Sequence, residues 1–195
     1  SAYWAIGAKH TKAGVNNWLA KKYEAGFDIY LEDLSLWGFP NRFDVTMTPL
    51  RIEAAEWGFA WHGAFLQILR LSYDRDHAIF IFPERHELKL AGRNIKISSD
   101  RMRASSVSLG DGSRRFVLEA ENMSIKSGNL DLGFGNAQLA FLLSRDQSKL
   151  RLSLTSKDAQ SIDSSDSLLL SANLSSERVL ADEDLALFDI KLLLF

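Results

Sequence analysis

Few side chains in this chain could do chemistry, and their spacing excludes most of it. The four histidines are His10, His62, His77 and His86. His86-Glu87 is not followed by a second histidine at helical spacing, so the zinc-hydrolase helix is absent. Gathering His62, His77 and His86 on one metal would require three strands to converge, and isolated histidines are the simpler reading. His77 with Asp74 or Asp76 would give a base and an orienting carboxylate, as in a hydrolase. That reading rests only on a polar cluster beside an apolar run. No cysteine is present, which removes thiol nucleophiles, disulfides and thiolate metal sites. Gly133-Phe134-Gly135 lacks the third glycine of a dinucleotide loop, and no serine stands in a glycine-flanked nucleophile elbow. Asp163-Ser164-Ser165-Asp166 and Asp182-Glu183-Asp184 lack the glycine and terminal glutamate of a calcium loop, and read as solvated turns. These residues predict a protein that is not an enzyme and needs no metal or cofactor.

Two surface patterns remain. Arg101 and Arg103 alternate onto one face near Arg93 and Lys96, with Arg114-Arg115 close behind. Such a strip could meet phosphate headgroups, although on a strand it is more often a solvated face or a guarded edge. The net charge of -2 gives no general field for nucleic acid, so none is expected as a partner. The second pattern is aromatic: Trp37, Phe39, Phe43, Trp57, Phe59, Trp61, Phe65, Phe80 and Phe82 concentrate in one region. They read either as a core beneath an N-terminal helix or as the lining of an apolar groove for an acyl chain.

The elements that position these residues are mostly strands. Residues 5–25 read as the one long helix, with Val15, Trp18, Leu19 and Tyr23 on one stripe and Gly26 as its terminator. From Phe27 the period changes to two. Phe27, Ile29 and Leu31 alternate with Asp28, Tyr30 and Glu32; after the Gly38-Phe39-Pro40-Asn41 turn, Phe43, Val45 and Met47 alternate with polar residues. Trp57, Phe59 and Trp61 point one way, over Gly58, Ala60 and His62 on the other face, where something should pack closely. Residues 65–71 and 78–82 are apolar on both faces, as expected of strands covered on both sides. Alternation returns around Phe116-Val117-Leu118, Leu130-Asp131-Leu132, Leu139-Ala140-Phe141 and residues 150–154, with a tight turn at Gly110-Asp111-Gly112. Residues 156–167 read as an exposed loop. Ser175 or Ser176 caps a short helical turn before a last strand, 185–195. An Asx-apolar-spacer-apolar unit recurs at Asp33-Leu34-Ser35-Leu36, Asn94-Ile95-Lys96-Ile97 and Asp189-Ile190-Lys191-Leu192, each a strand start.

With 195 residues, 46% hydrophobic and 25% charged, the chain suits one globular domain over 1–195. No apolar run reaches the roughly 20 residues of a spanning helix. Tyr3 and Trp4 followed by Lys9 and Lys12 nevertheless have the order found where a chain leaves a membrane interface. An ordinary frayed helix start explains the same residues equally well. The expected organisation is a helix over 1–26, which the resemblance below places behind an upstream membrane anchor, and an antiparallel β body over 27–195.

The run from Asp33 to Asp44, with its Gly-Phe-Pro-Asn-Arg-Phe-Asp core, resembles the signature of an uncharacterised alphaproteobacterial family, domain of unknown function twenty-one twenty-five. Trp18, Trp61, Tyr73, Asp76-His77 ahead of Pro83, and Ser99-Asp100-Arg101-Met102-Arg103-Ala104-Ser105 match it too. Together these cover about the first 105 residues. The resemblance implies a periplasmic body held to the inner membrane by an N-terminal anchor. It also implies sheets similar to those of AsmA-like proteins, whose curved grooves hold lipid, and it brings no catalytic residues.

The expected fold is mainly β: a long curved antiparallel sheet, groove or half-barrel, with one N-terminal helix. The expected function is a periplasmic, membrane-tethered lipid-binding or lipid-transfer module, with the nine aromatics as lining. The alternative is a non-enzymatic envelope scaffold or assembly factor that binds a protein partner, through strand addition at an open edge near the C-terminal strands.

Overall fold

The computed structural model describes residues 16–17, 19–38, 42–71, 76–144, 149–161 and 170–179. Among them, twelve strands form one antiparallel sheet. β1 (Asp28–Trp37) and β2 (Arg42–Ala54) form the first hairpin. Its turn is closed by the Arg42 amide donating to the Gly38 carbonyl at 2.9 Å. Six short strands follow: β3 (Phe59–Gly63), β4 (Leu66–Leu71), β5 (His77–Ile81), β6 (Arg85–Leu90), β7 (Arg93–Ser98) and β8 (Arg101–Ser108). Four long ones complete the sheet: β9 (Arg114–Ser127), β10 (Leu130–Leu143), β11 (Lys149–Ser161) and β12 (Leu170–Val179). The turn before β9 is an Asx turn, in which the Asp111 carboxylate accepts from the Ser113 amide at 2.8 Å.

The short strands are halves of long ones. β3 and β4 lie end to end along one edge of β2, parted at Ala64-Phe65. β5 and β6 form the next arm, parted at Phe82-Pro83-Glu84. β7 and β8 form the third, parted at Ser99-Asp100, and both pair with one edge of β9. Level with these breaks lie Pro49 in β2, which has no amide to donate, and Asn122 in β9, with φ at 48°. At the breaks the buried set changes parity, from Leu50, Ile52 and Ala54 to Met47 and Val45. A local distortion of this kind bends a strand while keeping one side inward.

The ladders therefore close. Successive neighbours run β2-β4-β5-β8-β9-β7-β6-β3 and return to β2, a closed eight-strand antiparallel barrel. β1 is added on the other edge of β2, and β10, β11 and β12 extend from the other edge of β9. The expected mainly β, antiparallel character is present, but the groove or half-barrel is corrected to a closed barrel. Alternation alone cannot register this, because a change of parity marks a bend in one strand and not which strands pair around it.

One core joins both halves: Phe27, Val45, Met47, Leu50, Ile52, Ala54, Trp61, Leu66, Ala78, Phe80 and Ala104. It is built from cross-strand rows. One runs Leu36, Val45, Ile68, Phe80, Ala104, Leu118 and Leu139. Another runs Ile29, Ile52, Trp61, Leu88 and Ile95. Each fully buried large side chain stabilises the fold by roughly 1.5–3 kcal/mol relative to exposure.

Several local expectations need correction. The described helical residues are 16–17 and 19–24, and the rest of the expected helix, with Val15 and Trp18, lies outside the described residues. Tyr23, expected on the buried stripe, is 72% exposed. Lys22 is buried instead, its Nζ 5.6 Å from the centre of the Phe27 ring. Gly26 ends the helix at φ 83°, as expected. Trp57 belongs to a 3-10 turn, Ala55–Trp57, and not to the strand holding Phe59 and Trp61. Residues 156–161 continue β11 through ladder pairing with β10, Ser175 and Ser176 sit within β12, and residues 162–167 of the expected loop lie outside the described residues. The expected last strand, 185–195, lies outside the described residues.

Candidate functional site

β1 has the sequence Asp-Ile-Tyr-Leu-Glu-Asp-Leu-Ser-Leu-Trp, and its apolar residues fix which side faces the core. Ile29, Leu31, Leu34 and Leu36 pack inward. Tyr30 and Trp37 are left outside, 56% and 73% exposed. Among the described residues β1 is laddered to β2 alone, so a ten-residue edge keeps its outer backbone groups unpaired by strand bonding. The Tyr30 hydroxyl donates to Glu32 Oε1 at 3.0 Å, and that bond, together with the carboxylate charge, raises the phenol above its ordinary pKa. Asp28 stands opposite Glu53, and Tyr30 opposite Arg51.

Beside this edge the outer face of β2, β3, β6 and β7 is concave. Ala60, His62, Glu87, Lys89, Asn94 and Lys96 line a depression of about 410 Å³, rimmed toward β1 by Arg51 and Glu53. The sequence marked Gly58, Ala60 and His62 as a small-residue face where something packs closely; Ala60 and His62 line this hollow, which is open among the described residues. The Arg51 guanidinium is paired with the Glu53 carboxylate. In register, the row runs Tyr30, Arg51, His62, Glu87, Lys96, Lys126 and Asp131, with mixed and nearly balanced charge and two lysines facing each other.

A second hollow, about 360 Å³, lies on the outer face of β8, β9 and β10 over Ala120 and Ala137. Arg101 pairs with Glu121 at 3.2 Å and Arg103 with Glu119 at 2.9 Å. Gln138 also donates to Glu119, at 3.2 Å. Each arginine thus has a carboxylate on the neighbouring strand, so the strip of positive charge read from the sequence is neutralised at its centre.

The nine aromatics do not form one surface. Phe80 is fully buried and Trp61 is 9% exposed, both in the core. Phe59 and Phe82 pack against that core, and Phe43 and Phe65 are half-buried. Trp37 is at the far end of β1; Phe39 and the Trp57 side chain lie outside what is described. Trp61, Phe82 and His86 form one cluster, with ring centres 6.3 Å apart for Trp61–Phe82 and 5.9 Å for Trp61–His86. His86 is buried; its Nδ1 lies 3.3 Å from the Pro83 carbonyl, which can only accept, so Nδ1 carries the proton. Burial pushes its pKa below the ordinary histidine value, against a smaller opposing effect of the carbonyl. His62 is exposed, and His77 opens β5 half-buried. Asp74, the other carboxylate considered with His77, lies outside the described residues. Among those residues no three histidine, aspartate or glutamate side chains are grouped to hold a metal.

A different apolar surface lies outside the barrel. Leu69, Ile79 and Val117 share a cross-strand row that begins at Trp37 and Asp44. They alternate with Ile68, Phe80 and Leu118, point away from the core cluster, and are half-buried. Asp44 in this row is buried, with Arg42 2.7 Å from Oδ2 and no partner on Oδ1. The sequence signal for this face was the two-sided apolar character of residues 65–71 and 78–82. The signal for Tyr30 was its place on the wet side of the first alternation, but nothing local marked β1 as an edge.

Fold and surface define an antiparallel β-barrel with an added edge strand and an outer polar hollow. Over residues 4–187 the chain matches the family described as an uncharacterized protein conserved in bacteria (DUF2125), and it belongs to that family. The match runs well past the segment carrying the sequence resemblance and takes in every described strand. No curated protein and no solved structure matches it.

Proposed function

We propose that this protein is a non-enzymatic scaffold or assembly factor of the cell envelope that binds a protein partner by strand addition at β1. The observation that carries the reading is a ten-residue strand with one ladder, bearing exposed Tyr30 and Trp37, on a barrel whose inward side chains gather into one buried cluster. An added strand gains main-chain hydrogen bonds, and alternate side chains give it specificity. The edge favoured here is at the start of the β body, whereas the sequence pointed to its end. A periplasmic body held at the inner membrane is part of this proposal, supported by the order Tyr3, Trp4, Lys9, Lys12. Among the described residues no helix is long and apolar enough to cross a membrane.

The test is a photo-crosslinking residue placed at Tyr30 or Trp37, with Leu90 and Leu130 as exposed controls on β6 and β10. One discrete product from both β1 positions and neither control supports the reading. Equal labelling from all four positions overturns it.

The lipid reading keeps one supporting observation, the half-buried outer row of Leu69, Ile79 and Val117 reached from Trp37. An acyl chain there would gain roughly 0.8 kcal/mol per buried methylene. Native mass spectrometry of the protein drawn from membranes in mild detergent separates the two readings. A stoichiometric lipid favours the outer row as its site, and a clean apo mass removes it.

A further inference from the structure

Resting on strand addition at β1, we infer that the partner segment is basic: an extended stretch carrying Lys or Arg toward Asp28, Glu32 and Asp33. β1 contains those three carboxylates and no cation. Among the described residues none of the three is ion-paired, and Glu32 accepts from the Tyr30 hydroxyl. The nearest neighbour of Asp28 across the ladder is another acid, Glu53, whose own cation partner is Arg51. Like charges directly opposite each other on a sheet repel, so this end of the edge favours an incoming cation.

Three further points select the partner. An antiparallel pairing of two β1 edges would set acids against acids, which disfavours a second copy of this chain as occupant. Charge on an edge strand is also the ordinary guard against aggregation. Guard and selector are one device here, since the carboxylates that reject neutral or acidic strands admit a basic one. Finally, Tyr30 presents an exposed ring between Asp28 and Glu32, and aromatic faces attract Lys and Arg side chains.

The experiment uses the full chain and three synthetic ten-residue peptides. One alternates lysine with valine or threonine; the second has glutamate for each lysine; the third is the basic peptide N-methylated on every second amide along one edge. Binding is read by fluorescence anisotropy, and its place by hydrogen exchange of the β1 amides. The basic peptide is expected to bind and slow exchange in β1, more weakly as salt rises. The variant Asp28→Asn/Glu32→Gln/Asp33→Asn should bind it about tenfold more weakly. Equal binding of the acidic peptide overturns the charge inference and leaves strand addition standing. Equal binding of the N-methylated peptide, or no binding of any peptide, overturns strand addition and the charge inference with it.

Discussion

Trp61 fills the space over Gly63: a Cβ built on the glycine would sit 2.5 Å from the indole Cη2 and 2.7 Å from Cζ2. The Pro83 ring would be 3.1 Å away on another side. The two residues are two apart on β3, hence on one face, and the bulky indole lies down along its strand because position 63 has no side chain. That placement brings Trp61 against Phe82 and His86 at the break between β5 and β6. Gly63→Ala is therefore expected to cost about 1–3 kcal/mol, the penalty of overpacking a filled core. Urea unfolding with an unchanged m-value checks it; an unshifted midpoint would mean that the indole yields freely.

Phe80 and Trp37 were grouped by sequence in one lining, and the structure separates their expected energetics. Phe80 is fully buried at the centre of a seven-strand row, so Phe80→Ala should cost about 3–5 kcal/mol. Trp37 is 73% exposed, and Trp37→Ala should stay within about 0.5 kcal/mol. Equal losses in urea titrations of the two variants would place Trp37 in a core. The contrast also fixes which variant reports on binding, since only Trp37 can be changed without loosening the barrel.

His86 links stability to pH. Its folded pKa lies below the ordinary value, so between the two values the unfolded chain binds more protons and stability rises with pH. The contribution is complete above the unfolded value of about 6.5 and is lost as pH falls through the folded one. Unfolding midpoints measured from pH 8 to 5 should fall in the native protein. The fall should be smaller in His86→Phe, which keeps an aromatic ring between Trp61 and Phe82. Parallel curves for the two proteins would exclude His86 as the source.

What could be read from the sequence follows the range of the forces involved. Alternation depends on neighbours two residues apart, so Ile29 and Leu31, or Val45 and Met47, reveal their strand and inward side directly. Barrel closure depends on Ala64-Phe65, Pro83 and Ser99-Asp100 falling level with one another in three different arms. That coincidence is visible only after pairing registers are known. The candidate site divides in the same way. The exposure of Tyr30 was implied by its wet-side position, whereas the opposition of Asp28 to Glu53 is a property of register. The aromatic concentration was real, but a groove and a core draw on the same residue types.

Asp28 and Glu53 make opposite demands on the free and bound states. Asp28→Lys replaces a like-charge pair with an attractive one on the same rung, and should stabilise the unbound barrel by about a few tenths of a kcal/mol. The gain should shrink as salt screens both charges. Asp33→Lys is the control, because Asp33 lies opposite Thr48 and relieves no repulsion. Urea midpoints at low and high salt for the two variants test this; equal shifts would mean that net charge, and not the rung, sets the effect. The same Asp28→Lys change should weaken a basic strand at β1. A residue that costs the free protein stability while favouring a cationic partner is the arrangement expected of an edge retained for binding.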